Sequence, residues 1–213
     1  MRQLAYRHAS LRKIILRMKI GLFFGSVNPI HTGHMIIANI VLESTAMEQI
    51  WFIVSPQNPF KKNKSLLSEH NRLDMVREAI HDDYNFRVSD AEFSMPKPSY
   101  TVDTLTYLSE KHPENQFKLI IGEDNLASFP KWKNHEVILE NYGLIVYPRP
   151  NADPSDLLKN PNVEMVEAPE VDISATLIRK MIRDNRSIKY LVPEGVRKLI
   201  QGRGYFRSKV DQT

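Results

Sequence analysis

Short apolar runs alternate along this chain with longer segments of mixed polarity. A nearly continuous apolar run is typical of a strand that is buried on both faces of a sheet. The predicted strands span residues 20–24, 50–54, 86–88, 117–121, 144–147 and 163–166. The segments between them repeat apolar residues at helical spacing, as Leu73, Val76 and Ile80 do. The predicted helices span residues 35–46, 69–79, 102–108, 175–183 and 195–200, and another ends at 137–139.

Strands that alternate with helices imply parallel βαβ units with right-handed crossovers. We therefore predict an α/β fold, a doubly wound, Rossmann-like parallel sheet with C-terminal helices. Since no Gly/Ser-rich linker interrupts the pattern, we expect one domain over 18–213, with the Pro-rich stretch 148–161 as a surface excursion. In such sheets ligands bind beyond the carboxyl ends of the strands. His31, the loop from Ser55 and the segment 122–124 follow predicted strands, so we expect a site there.

Composition narrows the classes of function. The 213 residues suffice for one sizeable domain. The absence of cysteine excludes disulfides and thiolate catalysis, and it fits a cytoplasmic protein. No apolar run approaches the ~18 residues of a membrane span, so we expect no membrane partner. A homo-oligomer is compatible with all of these features.

The net charge of +4 belongs to the amino-terminal leader. Residues 1–17 hold five of the 29 Lys and Arg and no acid, which leaves 24 bases against 25 acids, or −1, over 18–213. The body of the chain therefore does not indicate a nucleic-acid surface. We expect the leader to be an extension from an upstream start, disordered or a loose amphipathic helix. A transit peptide is the alternative, while a secretory signal lacks its apolar core here.

Residues 25–34, GSVNPIHTGH, carry the strongest chemical signal. They join a predicted strand to a predicted helix, where unpaired backbone N–H groups can hold phosphates. His31 and His34 are three apart and project toward the same helix end, where imidazole donates hydrogen bonds or carries charge, depending on pH. The alternative is that both histidines only cap the helix or satisfy the core. Zinc is a weaker hypothesis, because no cysteine or third histidine lies nearby at metal spacing.

This segment resembles the HxGH signature of the nucleotidylyltransferase superfamily, and its longer form resembles the nicotinate-nucleotide adenylyltransferase branch. Val27 stands where that branch has phenylalanine, and Asn28 stands where it has aspartate. The resemblance runs over nearly all of 18–213. It implies adenylyl transfer from ATP to nicotinate mononucleotide, giving deamido-NAD and pyrophosphate, with Mg²⁺ held mainly by phosphates and water.

Residues 173–179, ISATLIR, resemble the family motif ISxTxxR that grips the ATP phosphates. Ser174 is placed to cap a helix, while Thr176 and Arg179 could face an anion at its positive end. The alternative is ordinary capping with a solvated Arg179. Residues 99–105, SYTVDTL, resemble the segment typical of the nicotinate-mononucleotide enzymes. Its helix start could bind the pyridine carboxylate, whereas Asp103 is equally explained by a favourable helix-dipole interaction.

Gly122, Asp124 and Trp132 resemble the family's GxD and tryptophan pair. The indole of Trp132 could stack on the nicotinate ring, or it could be a partly buried surface aromatic. Asp124 could bind nucleotide hydroxyls, help position the metal or cap a helix. The loop 55–61 has Phe60 where the family commonly has histidine. Lys61 after it could touch phosphates, although a solvated basic loop is the plainer alternative.

The resemblance thus implies three catalytic residues, with His34 stabilising the α-phosphate and His31 and Arg179 holding the triphosphate. The implied ATP-binding residues are Gly25, Ser26, Val27, His31, His34, Gly122, Asp124, Ile173, Ser174, Thr176 and Arg179. The implied nicotinate-mononucleotide-binding residues are Asn28, Lys61, Tyr100, Thr101, Asp103 and Trp132. Three alternatives stay open: the same reaction on nicotinamide mononucleotide, a related enzyme such as phosphopantetheine adenylyltransferase, and a nucleotide-binding regulatory protein without turnover.

Overall fold

Six strands form one parallel sheet in the computed structural model, which describes residues 17–56 and 66–207. The strands are β1 (Met18–Gly25), β2 (Gln49–Val54), β3 (Phe86–Ser89), β4 (Asn115–Gly122), β5 (Leu144–Tyr147) and β6 (Val163–Met165). Their order across the sheet is β3-β2-β1-β4-β5-β6, and every adjacent pair is parallel. This order is that of a doubly wound sheet and confirms the predicted fold class.

Six α-helices connect or follow these strands within the described residues. They are α1 (Thr32–Ser44), α2 (Glu69–Ile80), α3 (Thr101–Lys111), α4 (His135–Asn141), α5 (Ala175–Arg183) and α6 (Glu194–Arg203). The sequence pattern located all six. It misplaced some ends: α1 begins at Thr32, three residues earlier than predicted, and α4 continues to Asn141. Both ends are polar, and apolar spacing carries no information there.

The core lies on both faces of the sheet, because the buried residues of β1 alternate between two apolar clusters. Phe23 packs with α1, α2, α5 and α6 on one face. Ile20 and Leu22 point to the other face and pack with α3 and α4. Since successive strand residues face opposite sides, a strand between two helical layers must be apolar throughout. This is why the strand segments read as continuous apolar runs.

The strand order reverses between β1 and β4, so a crevice opens beyond their carboxyl ends. The turn from β1 to α1 and the segment after β4 lie on either side of this position. None of the helices among the described residues is long and apolar enough to cross a membrane. The leader over residues 1–16 lies outside the described residues, and so does Lys61.

Candidate active site

The turn between β1 and α1 carries the two histidines to the edge of the crevice. Gly25 ends β1, and Thr32 begins α1 after His31 in an extended conformation. The backbone N–H of Thr32 donates to the carbonyl of Leu191 at 2.9 Å, which ties the helix start to the C-terminal part of the chain. His31 and His34 therefore both lie in the first turn of the helix, as their spacing predicted.

The two imidazoles stack on each other. Their ring centroids are 3.7 Å apart with an interplanar angle of 34°. The backbone N–H of His31 donates to Nδ1 of His34 at 3.2 Å. Because Nδ1 accepts this hydrogen bond, the proton of a neutral His34 ring sits on Nε2. The geometry thus leaves His34 with one N–H donor at the far end of its ring.

Both rings are neutral near pH 7, because their pKa values are lowered. Burial, together with the positive charge of Arg149, lowers the pKa of His31 to about 4. Burial also holds the pKa of His34 well below its usual value, with His31 and Arg149 adding to the effect. A neutral imidazole can donate a hydrogen bond but carries no charge. Of the two roles that the sequence allowed for these imidazoles, hydrogen-bond donation and positive charge, the lowered pKa values favour donation.

The turn over residues 26–28 has an unusual backbone. Val27 is buried and adopts φ +38°, a left-handed value that a β-branched residue rarely takes. Asn28 is also buried, and its side-chain Oδ1 accepts a hydrogen bond from the N–H of Leu67 at 3.3 Å. The carbonyl of Asn28 accepts from Nη1 of Arg179 at 2.8 Å. This turn is therefore held by contacts from several distant parts of the chain.

The contact between Arg179 and Asn28 joins the two strongest sequence motifs across 151 residues. Arg179 also donates to Oγ1 of Thr176 at 3.2 Å. Ser174 caps α5 as predicted, because its Oγ accepts a hydrogen bond from the N–H of Leu177 at 3.2 Å. Ile173 packs against the core just before the cap. The hydroxyls and the guanidinium thus lie beside the histidine turn at one helix N-terminus.

Arg149 is a cation of this site that sequence reasoning missed. It follows β5, and its Nη1 donates to the carbonyl of Val171 at 3.3 Å. Its Nε lies 4.0 Å from Oδ1 of Asp124, which follows β4. A Cβ added to Gly122 would lie 2.5 Å from that same oxygen and 2.9 Å from Cγ of Arg149, so a larger residue would displace these two side chains. Arg149 therefore adds positive charge between Asp124 and the histidines.

A lysine contacts two of the predicted nicotinate-binding residues, Tyr100 and Asp103. Nζ of Lys133 lies 2.9 Å and 3.1 Å from the two carboxylate oxygens of Asp103. The same Nζ sits 4.8 Å from the ring centroid of Tyr100, which precedes α3. Trp132 packs on Phe129 at 5.6 Å between ring centroids. The lysine thus links the Trp132 turn to the start of α3 and occupies the carboxylate of Asp103.

The segment before α3 is anchored by a buried carboxylate, which sequence reasoning also missed. Glu92 is 2% exposed, and its two oxygens accept hydrogen bonds from the hydroxyls of Ser99 and Thr104, both at 2.8 Å. Ser99 precedes the helix and Thr104 lies in its first turn. Glu92 therefore holds the start of α3, where the first N–H groups, including that of Thr101, have no partner inside the helix.

Comparison with known proteins agrees with this arrangement. The profile of the cytidylyltransferase-like family matches residues 22–181. A protein of Cytophaga hutchinsonii named "Probable nicotinate-nucleotide adenylyltransferase" is 58% identical over 189 residues, which are 89% of this chain and 98% of that protein. A protein of the same name from Flavobacterium johnsoniae is 46% identical over 192 residues, 89% of this chain and all of its own. The chain belongs to the nicotinate-nucleotide adenylyltransferase family.

Solved structures support the fold of this family member. The nicotinic acid mononucleotide adenylyltransferase of Plasmodium falciparum, solved as a complex with NaAD, matches with a TM-score of 0.75. The match covers 89% of this chain and 98% of that one, at 20% sequence identity. At this identity the likeness shows the α/β architecture. The residue roles in this adenylyltransferase family member rest on its own geometry.

Arg149 could have been found by the rule that located the other site residues. It follows a parallel strand, as His31 and Asp124 do, and ligands gather at such ends. Glu92 carried no comparable signal, because a lone glutamate outside a helical pattern gives no sign of burial. In this member of the nicotinate-nucleotide adenylyltransferase family, the sequence thus points to the ligand-facing groups more readily than to the groups that support them.

Proposed function

We propose that this protein transfers the adenylyl group of ATP to nicotinate mononucleotide, giving deamido-NAD and pyrophosphate in the synthesis of NAD. The observation that carries the proposal is the direct hydrogen bond between Arg179 and the carbonyl of Asn28. It supports a single cradle for the triphosphate, built from the histidine turn and the start of α5. The names of the relatives favour the same reaction.

The chemistry is an in-line displacement at phosphorus. A phosphate oxygen of nicotinate mononucleotide attacks the α-phosphorus of ATP, and the bond from that phosphorus to the β-phosphate oxygen breaks. The electron pair leaves with pyrophosphate, so no covalent enzyme intermediate forms. Such a reaction needs alignment of the two nucleotides and stabilisation of developing charge, and it needs no side-chain nucleophile.

The neutral histidines suit charge stabilisation by hydrogen bonding. Nε2–H of His34 would donate to an oxygen of the α-phosphate, where charge grows in the transition state. His31 would hold the triphosphate together with Arg179. The cap residue Ser174 and the hydroxyl of Thr176 place further polar groups at the positive end of α5. Gly25, Ser26, Val27, Gly122, Asp124 and Ile173 would complete the ATP site.

The start of α3 suits the acidic substrate. Thr101 is the first residue of the helix, so its N–H has no partner inside the helix and would meet the pyridine carboxylate. Trp132 would offer its ring to the pyridine, and Tyr100, Asn28 and Lys61 would contribute the remaining contacts. Because Lys133 already neutralises Asp103, that carboxylate would not repel the anionic substrate.

We place Mg²⁺ on the triphosphate, where it would neutralise the charge of the departing pyrophosphate. Among the described residues no three His, Cys, Asp or Glu side chains are grouped as a metal cage. Mg²⁺ commonly binds through substrate phosphates, water and one or two carboxylates, so this chain fits that mode. Asp124, with a half-exposed side chain at the end of β4, is the carboxylate in position to assist. The expected cytoplasmic location stays a prediction.

The proposal is tested by incubating the protein with ATP labelled at the α-phosphate, with and without nicotinate mononucleotide. We expect pyrophosphate and labelled deamido-NAD only when the mononucleotide is present, and no label on the protein. Pyrophosphate from ATP alone with label retained on the protein would contradict direct transfer. Binding of ATP with no product under any condition would favour the regulatory alternative.

A further inference from the structure

Arg72 is the largest of the fully buried side chains, and it lies outside the residues that would touch substrate. It sits in α2 with 0% exposure. Its guanidinium donates four hydrogen bonds, all to backbone carbonyls: to Leu67 at 3.1 Å, Ser26 at 2.6 Å, Ser55 at 2.7 Å and Pro56 at 3.1 Å. None of the ion pairs within residues 17–56 and 66–207 includes Arg72.

Burying a guanidinium costs desolvation free energy, which an apolar residue packed at the same position would not. Helix packing alone therefore does not explain an arginine here. Three of the four carbonyls, those of Ser26, Ser55 and Pro56, follow β1 or β2, at the carboxyl edge where the candidate site lies. A planar guanidinium can hold several acceptors in one fixed geometry, which an ammonium cannot do. The arrangement therefore favours a role in shaping the site.

The shortest of these bonds bears on the strained turn. The carbonyl of Ser26 and the N–H of Val27 belong to one planar peptide unit, so they point in opposite directions. Since Arg72 draws the carbonyl inward, it turns the N–H of Val27 away from α2. Within the described part of the chain this N–H donates no hydrogen bond. Val27 keeps φ +38° although valine disfavours that region, so some contact must hold it there.

We propose that Arg72 is a positioning residue for adenylyl transfer: it holds the Ser26–Val27 peptide in its strained orientation so that the N–H of Val27 donates to a nucleotide phosphate. Arg179 holds the same turn two residues later, through the carbonyl of Asn28. Arg72 itself touches no substrate. The identity of the phosphate rests on the proposed function. The orientation of the Ser26–Val27 peptide rests on the hydrogen bonds of Arg72.

The test combines Arg72→Lys with Val27→Gly. Lysine keeps the charge but cannot bind the four carbonyls in one plane, while glycine adopts positive φ without strain. We expect Arg72→Lys to raise the KM for ATP at least tenfold, with kcat changing less. In the Val27→Gly background, Arg72→Lys should lower kcat/KM by a factor at least three times smaller than it does in the wild-type background. The reason is that glycine removes the strain that Arg72 opposes. Equal costs in the two backgrounds overturn the proposal.

Amide hydrogen exchange without nucleotide provides a readout that does not depend on turnover. We expect Arg72→Lys to speed exchange in a peptide spanning residues 23–30 while a peptide from α4 keeps its wild-type rate. If both accelerate together, the role of Arg72 is general stability and the proposal fails. Arg77→Lys, on the exposed side of α2, is the matched control. The wild-type protein in the same assays tests the proposed function separately. Absence of turnover in the wild type would contradict that function, whereas the variants test only the role of Arg72.

Discussion

At the scale of single residues, His34 is the group on which turnover should depend most. Its Nδ1 is already occupied by the backbone N–H of His31, so only Nε2–H can reach a substrate. We expect His34→Ala to lower kcat by roughly 100-fold or more, the usual cost of one lost donor at a developing charge, with little change in the KM for ATP. Steady-state assays of pyrophosphate release measure both constants.

His34→Gln provides the graded comparison, because its amide can place an N–H near the position of Nε2. We expect it to retain more activity than His34→Ala. His81, an exposed histidine at the end of α2, is the matched control, and His81→Ala should keep wild-type kcat. Near-normal turnover of His34→Ala would remove this ring from the chemistry.

The burial of His31 predicts a loss of stability in mild acid. Its pKa is about 4 in the folded protein and about 6.5 when unfolded, so folding disfavours the protonated form. The unfolded chain therefore takes up a proton first as the pH falls below 6.5, and stability decreases until the pH passes the folded value. At pH 5 this single group should cost roughly 2 kcal/mol relative to pH 7.5.

Urea denaturation of the wild type and of His31→Gln at both pH values measures this contribution. The variant cannot titrate at this position, so its stability should fall less between pH 7.5 and pH 5. The same decrease in both proteins would show that His31 does not titrate as its burial requires.

At the scale of elements, α5 contributes to the site through its N-terminus. Arg179→Lys keeps the charge but cannot donate to both Asn28 and Thr176 in the same geometry. We expect this variant to lower kcat/KM for ATP by at least tenfold, with thermal stability nearly unchanged. Arg183→Lys, at the exposed end of the same helix, should behave as the wild type. If the two variants lose equal activity, the specific contacts of Arg179 are not used.

The start of α3 should govern the preference for the acid over the amide. Lys133→Met leaves Asp103 unneutralised next to the helix start, where it would repel a substrate carboxylate. We expect the KM for nicotinate mononucleotide to rise only severalfold, since the ion pair is exposed and screened. The KM for nicotinamide mononucleotide should change little, because its amide carries no charge for Asp103 to repel. Lys131→Met, two residues earlier on the surface, is the control. An equal rise for both substrates would contradict this account.

At the scale of the whole molecule, the order of strands and helices could be predicted from the sequence, because the spacing of apolar residues reflects which faces of each element are buried. The apolar runs of β1, β2, β4 and β5 are long enough to mark strands between two helical layers. The motifs then fell at strand ends, where this topology gathers ligands. That much of the site could be predicted from the positions of His31 and Asp124, whereas Ser174 was identified from its motif and its place before a helix.

The supporting groups could not be predicted in this way. Arg72 lies in a helical pattern where an arginine is normally solvated, and only the fold shows that four carbonyls surround it. The backbone of Val27 has no sequence signal either, because its left-handed conformation depends on contacts from α2. The neutral state of the two imidazoles depends on burial and on Arg149, which the fold brings near.

The most direct test of the central claim is pyrophosphate release from ATP with nicotinate mononucleotide and nicotinamide mononucleotide in parallel, expressed as kcat/KM for each. The account predicts efficient turnover of the acid, a clear preference over the amide, and loss of both activities in His34→Ala. A protein that forms no pyrophosphate with either mononucleotide, while remaining folded and binding ATP, would contradict it.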